Sequence, residues 1–132
     1  MKTIHQTHHF DVAPEIIYSA YLNEKTHADF TGSSAEIFPQ VGGAISAWDG
    51  YATGRFVELK PNELIKQTWH ADTWPDGLQS MVTITLHAEG AGTRLELVHE
   101  NVPDDEAESI EQGWLDYYWE PLERYLQQSE AI

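Results

Sequence analysis

The sequence predicts an α+β domain in which a curved antiparallel sheet wraps around a long C-terminal helix. Three observations predict it. Between Ala35 and His99 short β-rich runs alternate with turn residues. From Asp104 onward, apolar residues return at helical spacing. Two short helical patterns separate the first strand from the others.

Taken in order, Thr3 to Val12 reads as a strand, with Ile4, Gln6, His8 and Phe10 on one face and Thr3, His5, Thr7 and His9 on the other. Pro14 suits the first position of a helix, where a missing N–H costs nothing, and Ile16, Ile17, Ala20 and Tyr21 follow at helical spacing. Asn23 is placed to cap a second short helix that ends before Gly32. The expected strands are then Ala35–Phe38, Ala44–Trp48, Thr53–Leu59, Leu64–His70, Ser80–His87 and Thr93–His99. Gly42-Gly43, Asp49-Gly50, Pro61-Asn62, Trp74-Pro75-Asp76-Gly77 and Gly90-Ala91-Gly92 supply the turns between them. Val82, Ile84 and Leu86 alternate with Met81, Thr83 and Thr85, which is the pattern of a sheet buried on one face.

The last helix opens near Asp104 or Asp105, either of which can cap it, and Glu106 and Glu108 suit its positive end. Ile110, Trp114, Tyr117, Tyr118, Leu122, Tyr125 and Leu126 form a broad apolar stripe. Gly113 within the stripe predicts close approach to the sheet. Pro121 cannot donate to the carbonyl of Tyr117, which predicts a bend. No repeat, linker or low-complexity tract interrupts the chain, so one domain is expected over residues 1–132.

Seven Lys and Arg stand against 22 Asp and Glu, a formal net charge of −15, so nucleic acid and anionic membranes are not expected partners. The acidity reads first as a device for solubility, with a salt-rich cytoplasm or a basic protein partner as the sharper alternatives. The absence of cysteine removes thiolate chemistry and zinc–thiolate sites, and fits a reducing interior. The polar N-terminus lacks a signal-peptide pattern and no run is long enough to span a membrane, so a cytoplasmic location is expected.

A twisted sheet of this many strands curls, and the last helix must fill its hollow. Such a grip cannot close equally at both ends, and the wider end is expected to leave an aromatic pocket. From the sheet its candidate lining is Phe56, Gln67, Trp69, Ser80, Val82, Ile84, Leu97 and His99; from the helix it is Trp114, Tyr117, Tyr118 and Tyr125. Gln67, Ser80 and His99 are the polar groups able to orient a ligand there. Two plainer readings stand beside this one: the rings simply fill a core, and His99 and Gln67 are satisfied by backbone groups at the rim.

Several segments carry a family resemblance. They are Ala13-Pro14-Glu15-Ile16-Ile17-Tyr18, Phe30-Thr31-Gly32, Gly42-Gly43, Asp49-Gly50 with Gly54, and Leu64 to Trp69 followed by Trp74-Pro75-Asp76-Gly77. The last are Thr93 to His99 with Val102-Pro103, and Gly113 to Leu122. In this order, over nearly the whole chain, they resemble the activator of heat-shock protein 90 ATPase homologue-like (AHSA-type) family, within the START / SRPBCC / Bet v 1-like superfamily. The resemblance implies a helix-grip fold. It is to the C-terminal part of the eukaryotic co-chaperone, and the N-terminal part central to ATPase stimulation has no counterpart here. Stand-alone prokaryotic members are the nearer expectation.

Three functions follow as expectations: binding of a hydrophobic small molecule between helix and sheet; a co-chaperone-like interaction module with a protein partner or as a homodimer; and, less favoured, an enzyme with His99 as general base beside Tyr117. No metal or cofactor is expected. His5 and His9 share a strand face but would lie about 13 Å apart at roughly 3.3 Å per residue, and His8 faces the other way. The motifs of serine hydrolases, phosphate loops, dinucleotide folds and zinc peptidases are missing from the sequence.

Overall fold

The structure, a computed structural model, describes the backbone of residues 1–130 and the side chains of residues 1–127. Seven strands, β1 (Lys2–Phe10), β2 (Ala35–Ile37), β3 (Ala44–Ala47), β4 (Ala52–Lys60), β5 (Leu64–Ala71), β6 (Ser80–Glu89) and β7 (Gly92–Val102), form one sheet of order β1-β7-β6-β5-β4-β3-β2. Every neighbouring pair is antiparallel. The strands from β2 to β7 run as a meander, and β1 returns to the edge beside β7.

Two short helices, α1 (Pro14–Leu22) and α2 (Glu24–Thr31), follow β1. Pro14 opens α1, as its lack of an N–H allows. The Asn23 side chain accepts the Thr26 N–H at 3.0 Å, and Gly32 ends α2 in the left-handed region at φ 76°.

Burial alternates strictly along β5, β6 and the first part of β7. Ile65, Gln67 and Trp69, then Val82, Ile84 and Leu86, then Leu95, Leu97 and His99 all point into the hollow, as their parity requires. On β4 the register slips between Phe56 and Glu58, which leaves Val57 exposed while Phe56 stays in the core. Gly54 lies two residues before the slip, and a Cβ there would run into the Thr68 carbonyl of β5.

The C-terminal helix departs from expectation in three ways. Neither Asp104 nor Asp105 caps it. The N-cap is Glu106, whose side chain makes no cap bond, and Asp104 instead meets the Met1 ammonium at 2.7 Å. Nor is the helix α-helical throughout, as the 3.6-residue stripe assumes. It runs as α3 (Ala107–Trp114), a π-helical turn (Leu115–Trp119) and α4 (Glu120–Glu130). In the wide turn the Glu120 N–H reaches five residues back to Leu115, so Pro121 falls in the first turn of a new α segment, where it has no bond to lose. The third departure concerns Gly113, which approaches nothing on the sheet: a Cβ there would meet only the Tyr117 ring, at 3.6 Å.

The extra residue in the π turn resets the phase of the apolar stripe. Trp119 falls outside the straight-helix stripe but is 1 % exposed, while Tyr117, expected inside, is 59 % exposed. The turn also releases backbone groups. Leu115 N–H bonds the Gln112 carbonyl, and the Glu111 carbonyl takes the Gln6 side-chain N–H at 2.6 Å. The same Gln6 accepts from the Trp119 indole at 3.1 Å. One glutamine on β1 thereby holds both sides of the irregular turn.

Candidate functional site

The helix does not close on the sheet everywhere. Between α3, the π turn and the ends of β3–β5 lies a cleft of about 450 Å³, lined by Trp48, Tyr51, Trp69, Ser109, Ile110, Gly113, Trp114, Tyr117 and Tyr118. Its sheet-side wall depends on one tight turn. Asp49 and Gly50 have φ 56° and 89°, and the Tyr51 N–H bonds the Trp48 carbonyl at 3.1 Å, which makes Trp48–Tyr51 a type I′ turn. Trp48 itself is left-handed at φ 56°, a conformation costing on the order of 1 kcal/mol or more for a bulky residue. Trp48 and Tyr51, which flank the Asp49-Gly50 tip, both line the cleft. The helix-side wall follows from i, i+4 spacing: Ser109, Gly113 and Tyr117 share one face, and the absent side chain at Gly113 keeps it open.

The rings meet at steep angles. Trp48 packs against Tyr117 at 69° and Tyr118 at 78°, and Tyr51 against Trp69 at 76°, with centroids 5.5, 6.1 and 6.2 Å apart. Among the described residues, no Lys or Arg contributes to this lining. Burial raises the Tyr51 hydroxyl pKa, and the carboxylates of Glu106 and Asp72 raise it further.

Of the twelve residues expected around a pocket, Trp69, Trp114, Tyr117 and Tyr118 line this cleft. The other eight lie elsewhere. Phe56, Val82, Ile84 and Leu97 belong to the close-packed core, and Tyr125 is half-buried against it. Ser80, His99 and Gln67 are buried polar groups engaged with protein atoms. Trp48, Tyr51, Ser109, Ile110 and Gly113 line it as well, and the expected lining contains none of these five. The Asp49-Gly50 signal marks the turn, but nothing in local patterning says that its flanking rings fold toward a helix distant in the chain.

His99, 0 % exposed, sits between Trp69 and Trp114. The Trp114 indole N–H donates to its Nδ1 at 3.1 Å, so the proton lies on Nε2 and is donated to Ser80 Oγ at 2.7 Å. Ser80 in turn donates to the Trp69 carbonyl at 2.8 Å. Desolvation pushes the His99 pKa down to about 4. Both ring nitrogens are committed and the imidazole is neutral, so this histidine works as a brace behind the two cleft tryptophans. The pairing with Tyr117 does not form, since Tyr117 stands at the lip.

A second buried chain supports the opposite wall. His27, also 0 % exposed, donates from Nδ1 to the Tyr21 carbonyl at 2.8 Å, and its Nε2 faces the Tyr118 hydroxyl at 3.3 Å. The Tyr21 hydroxyl donates to Gln67 Oε1 at 2.6 Å, and Gln67 Nε2 donates to the Thr68 carbonyl at 3.3 Å. Burial lowers the His27 pKa and raises those of Tyr21 and Tyr118, so every member stays uncharged near neutrality. Gln67 and His99 are thus satisfied largely by side chains rather than by backbone at a rim. Periodicity gives no hint of His27, a polar residue on a short amphipathic helix.

The strand histidines do not converge: His8 faces Glu123 at 3.5 Å, His9 faces Glu89 at 3.2 Å, and His5 is exposed. No helix among the described residues is long and apolar enough to cross a membrane.

Comparison with known proteins places this geometry in a family. Residues 11–127 match the model of the family described as activator of Hsp90 ATPase homolog 1-like protein. The activator of 90 kDa heat shock protein ATPase homolog of Dictyostelium discoideum is 34% identical over 86% of this chain and 30% of its own length. The corresponding homolog 1 of Mus musculus is 30% identical over 87% of this chain and 34% of its own. The chain therefore spans about a third of the length of these curated relatives. Among solved structures, an HSP90 activator from Plasmodium falciparum superposes with a TM-score of 0.91 at 26% identity, over 96% of this chain and 97% of that one. Fold, order of elements and family profile agree, and the chain belongs to the activator of Hsp90 ATPase homologue 1-like family.

Proposed function

We propose that this domain is a binding module whose aromatic cleft takes up an apolar small molecule. The observation that supports the reading is the combination of open volume with rings held rigidly from behind. Trp69 and Trp114 are braced by His99, and Tyr118 faces His27. Pre-organised rings lose little entropy when a ligand stacks on them.

Three of the five tryptophans line the cleft, so indole fluorescence reports on occupancy directly. The neutral probe N-phenyl-1-naphthylamine is expected to bind the folded protein and quench that emission. Gly113→Leu should abolish uptake without unfolding the helix, because a side chain there enters open space beside Tyr117 and leucine is the better helix former. Absence of uptake by wild-type protein, or equal uptake by the leucine variant, defeats the reading.

A second reading rests on the relatives' names: the domain associates with a heat-shock protein 90 chaperone, as a part of what the longer relatives do. Isothermal titration of purified chaperone with this chain, at low and high salt, tests it. Saturable binding that weakens with salt fits an acidic domain of net charge −15 on a basic chaperone surface. No heat at either ionic strength, with chaperone ATPase rate unchanged, removes this second reading.

A further inference from the structure

Resting on the cleft reading above and extending it, we infer that the cleft selects organic cations: a small ammonium or methylated ammonium group carried on an apolar body. Three observations converge on that charge. Six of the nine lining residues are aromatic; Trp48 crosses Tyr117 and Tyr118, and Tyr51 crosses Trp69, at 69° to 78°, while Trp114 and Tyr118 are tilted at 41°, so the walls form corners rather than a flat stack. An aromatic face is a region of negative potential, and a cation within about 6 Å of several rings is attracted by each of them. A box of crossed rings therefore favours a positive guest over a neutral one of equal shape.

The second observation is the lack of any competing cation. Among the described residues no Lys or Arg lines the cleft, and both buried histidines behind it, each engaged by protein partners, are kept neutral by desolvation. An anionic guest would find no cationic side chain in the lining. The third is a pair of acidic residues close to the lining residue Tyr51. Glu106 is the N-cap of α3, and the Oγ of the lining residue Ser109 donates to its backbone carbonyl at 3.2 Å. Asp72 follows β5, and its N–H bonds the carbonyl of Tyr51 at 2.8 Å. Both carboxylates lie close enough to Tyr51 to act on its hydroxyl. The domain's overall charge of −15 raises the local concentration of cations further.

The test uses three probes of one shape and different charge: phenyltrimethylammonium, tert-butylbenzene and benzenesulfonate. Binding is followed by the indole N–H resonances of Trp48, Trp69 and Trp114. The cation is expected to bind at least fivefold more tightly than the neutral isostere, and the anion not at all. Tyr117→Leu keeps an apolar lip but removes a ring, and should erase most of the cation's advantage while leaving tert-butylbenzene within about twofold. The double change Glu106→Gln with Asp72→Asn should weaken the cation two- to fivefold and flatten its salt dependence. If tert-butylbenzene binds as tightly as the cation, charge selection is wrong and the cleft reading survives. The same conclusion follows if N-phenyl-1-naphthylamine binds but phenyltrimethylammonium does not. If none of the probes binds, the cleft reading itself has failed.

Discussion

The two flanks of the C-terminal helix are built from similar residues and end up in opposite states. On the β1 flank, Trp119, Leu122 and Ile4 pack into a closed core, and Gln6 ties strand to helix through two side-chain bonds. On the β3–β5 flank, Trp48, Tyr51 and Tyr117 bring more aromatic bulk and still leave about 450 Å³ between them. The difference comes from the backbone. The closed flank faces a strand whose side chains interdigitate with the helix. The open flank faces a type I′ turn, whose flanking residues Trp48 and Tyr51 raise two rings as a wall without filling what lies behind. Aromatic content alone predicts neither a core nor a pocket. What decides is the element that carries the rings.

The sharpest way to break the comparison is to truncate one ring on each flank. Trp119→Ala removes a fully buried side chain and should destabilise by about 3–5 kcal/mol in urea titration. Tyr117→Ala, at the lip, should cost under about 1 kcal/mol. Similar costs for the two would mean that the flanks are packed alike.

The wall between the flanks responds to acid. The unfolded chain protonates His99 near its ordinary pKa of 6.5, but the folded protein resists protonation down to about 4. Between those values the unfolded state binds the extra proton, so stability is complete above pH 6.5 and falls as the pH drops toward 4. The loss is about 3 kcal/mol at the low end, and His27, shifted in the same direction, adds to it. Urea midpoints measured from pH 7 to pH 4 should show this fall. In His99→Gln the slope should flatten by close to one proton, and an unchanged slope would mean that His99 is not the group resisting charge.

The Gln6 clamp comes next in size. Gln6→Leu leaves the Trp119 indole N–H without its acceptor and should cost about 1–3 kcal/mol. Because the Glu111 carbonyl is close to solvent, most of that cost should come from Trp119. A double-mutant cycle with Trp119→Phe checks the assignment. A coupling near zero would show that the indole bond contributes nothing.

The comparison also marks where sequence reasoning holds and where it stops. Period-2 alternation places Ile65, Val82, Ile84, Leu95 and Leu97 on the buried face without error, because parity in a one-sided sheet is a local property. Pro14, Asn23 and Gly32 mark their helix ends because capping chemistry is local too. The helix stripe misplaces Tyr117 and omits Trp119, since the 3.6-residue count presumes an unbroken ladder and the π turn shifts everything after it. The cleft is legible as far as Trp69, Trp114 and Tyr118, whose faces follow from periodicity; Tyr117 lines it from the exposed lip and not from the buried face that the stripe assigns. Trp48 and Tyr51 are not legible, because their direction depends on a left-handed backbone and on a helix distant in the chain.

The π turn carries a consequence for how this chain tolerates length changes. Each residue of an α-helix advances the side-chain direction by about 100°. The wide turn absorbs one residue, so excising one there, such as Asp116, would regularise the hydrogen-bond ladder and leave Leu122 and Leu126 facing the core. The same excision one turn later, within α4, has no slack to draw on and would swing Leu126 off the buried face.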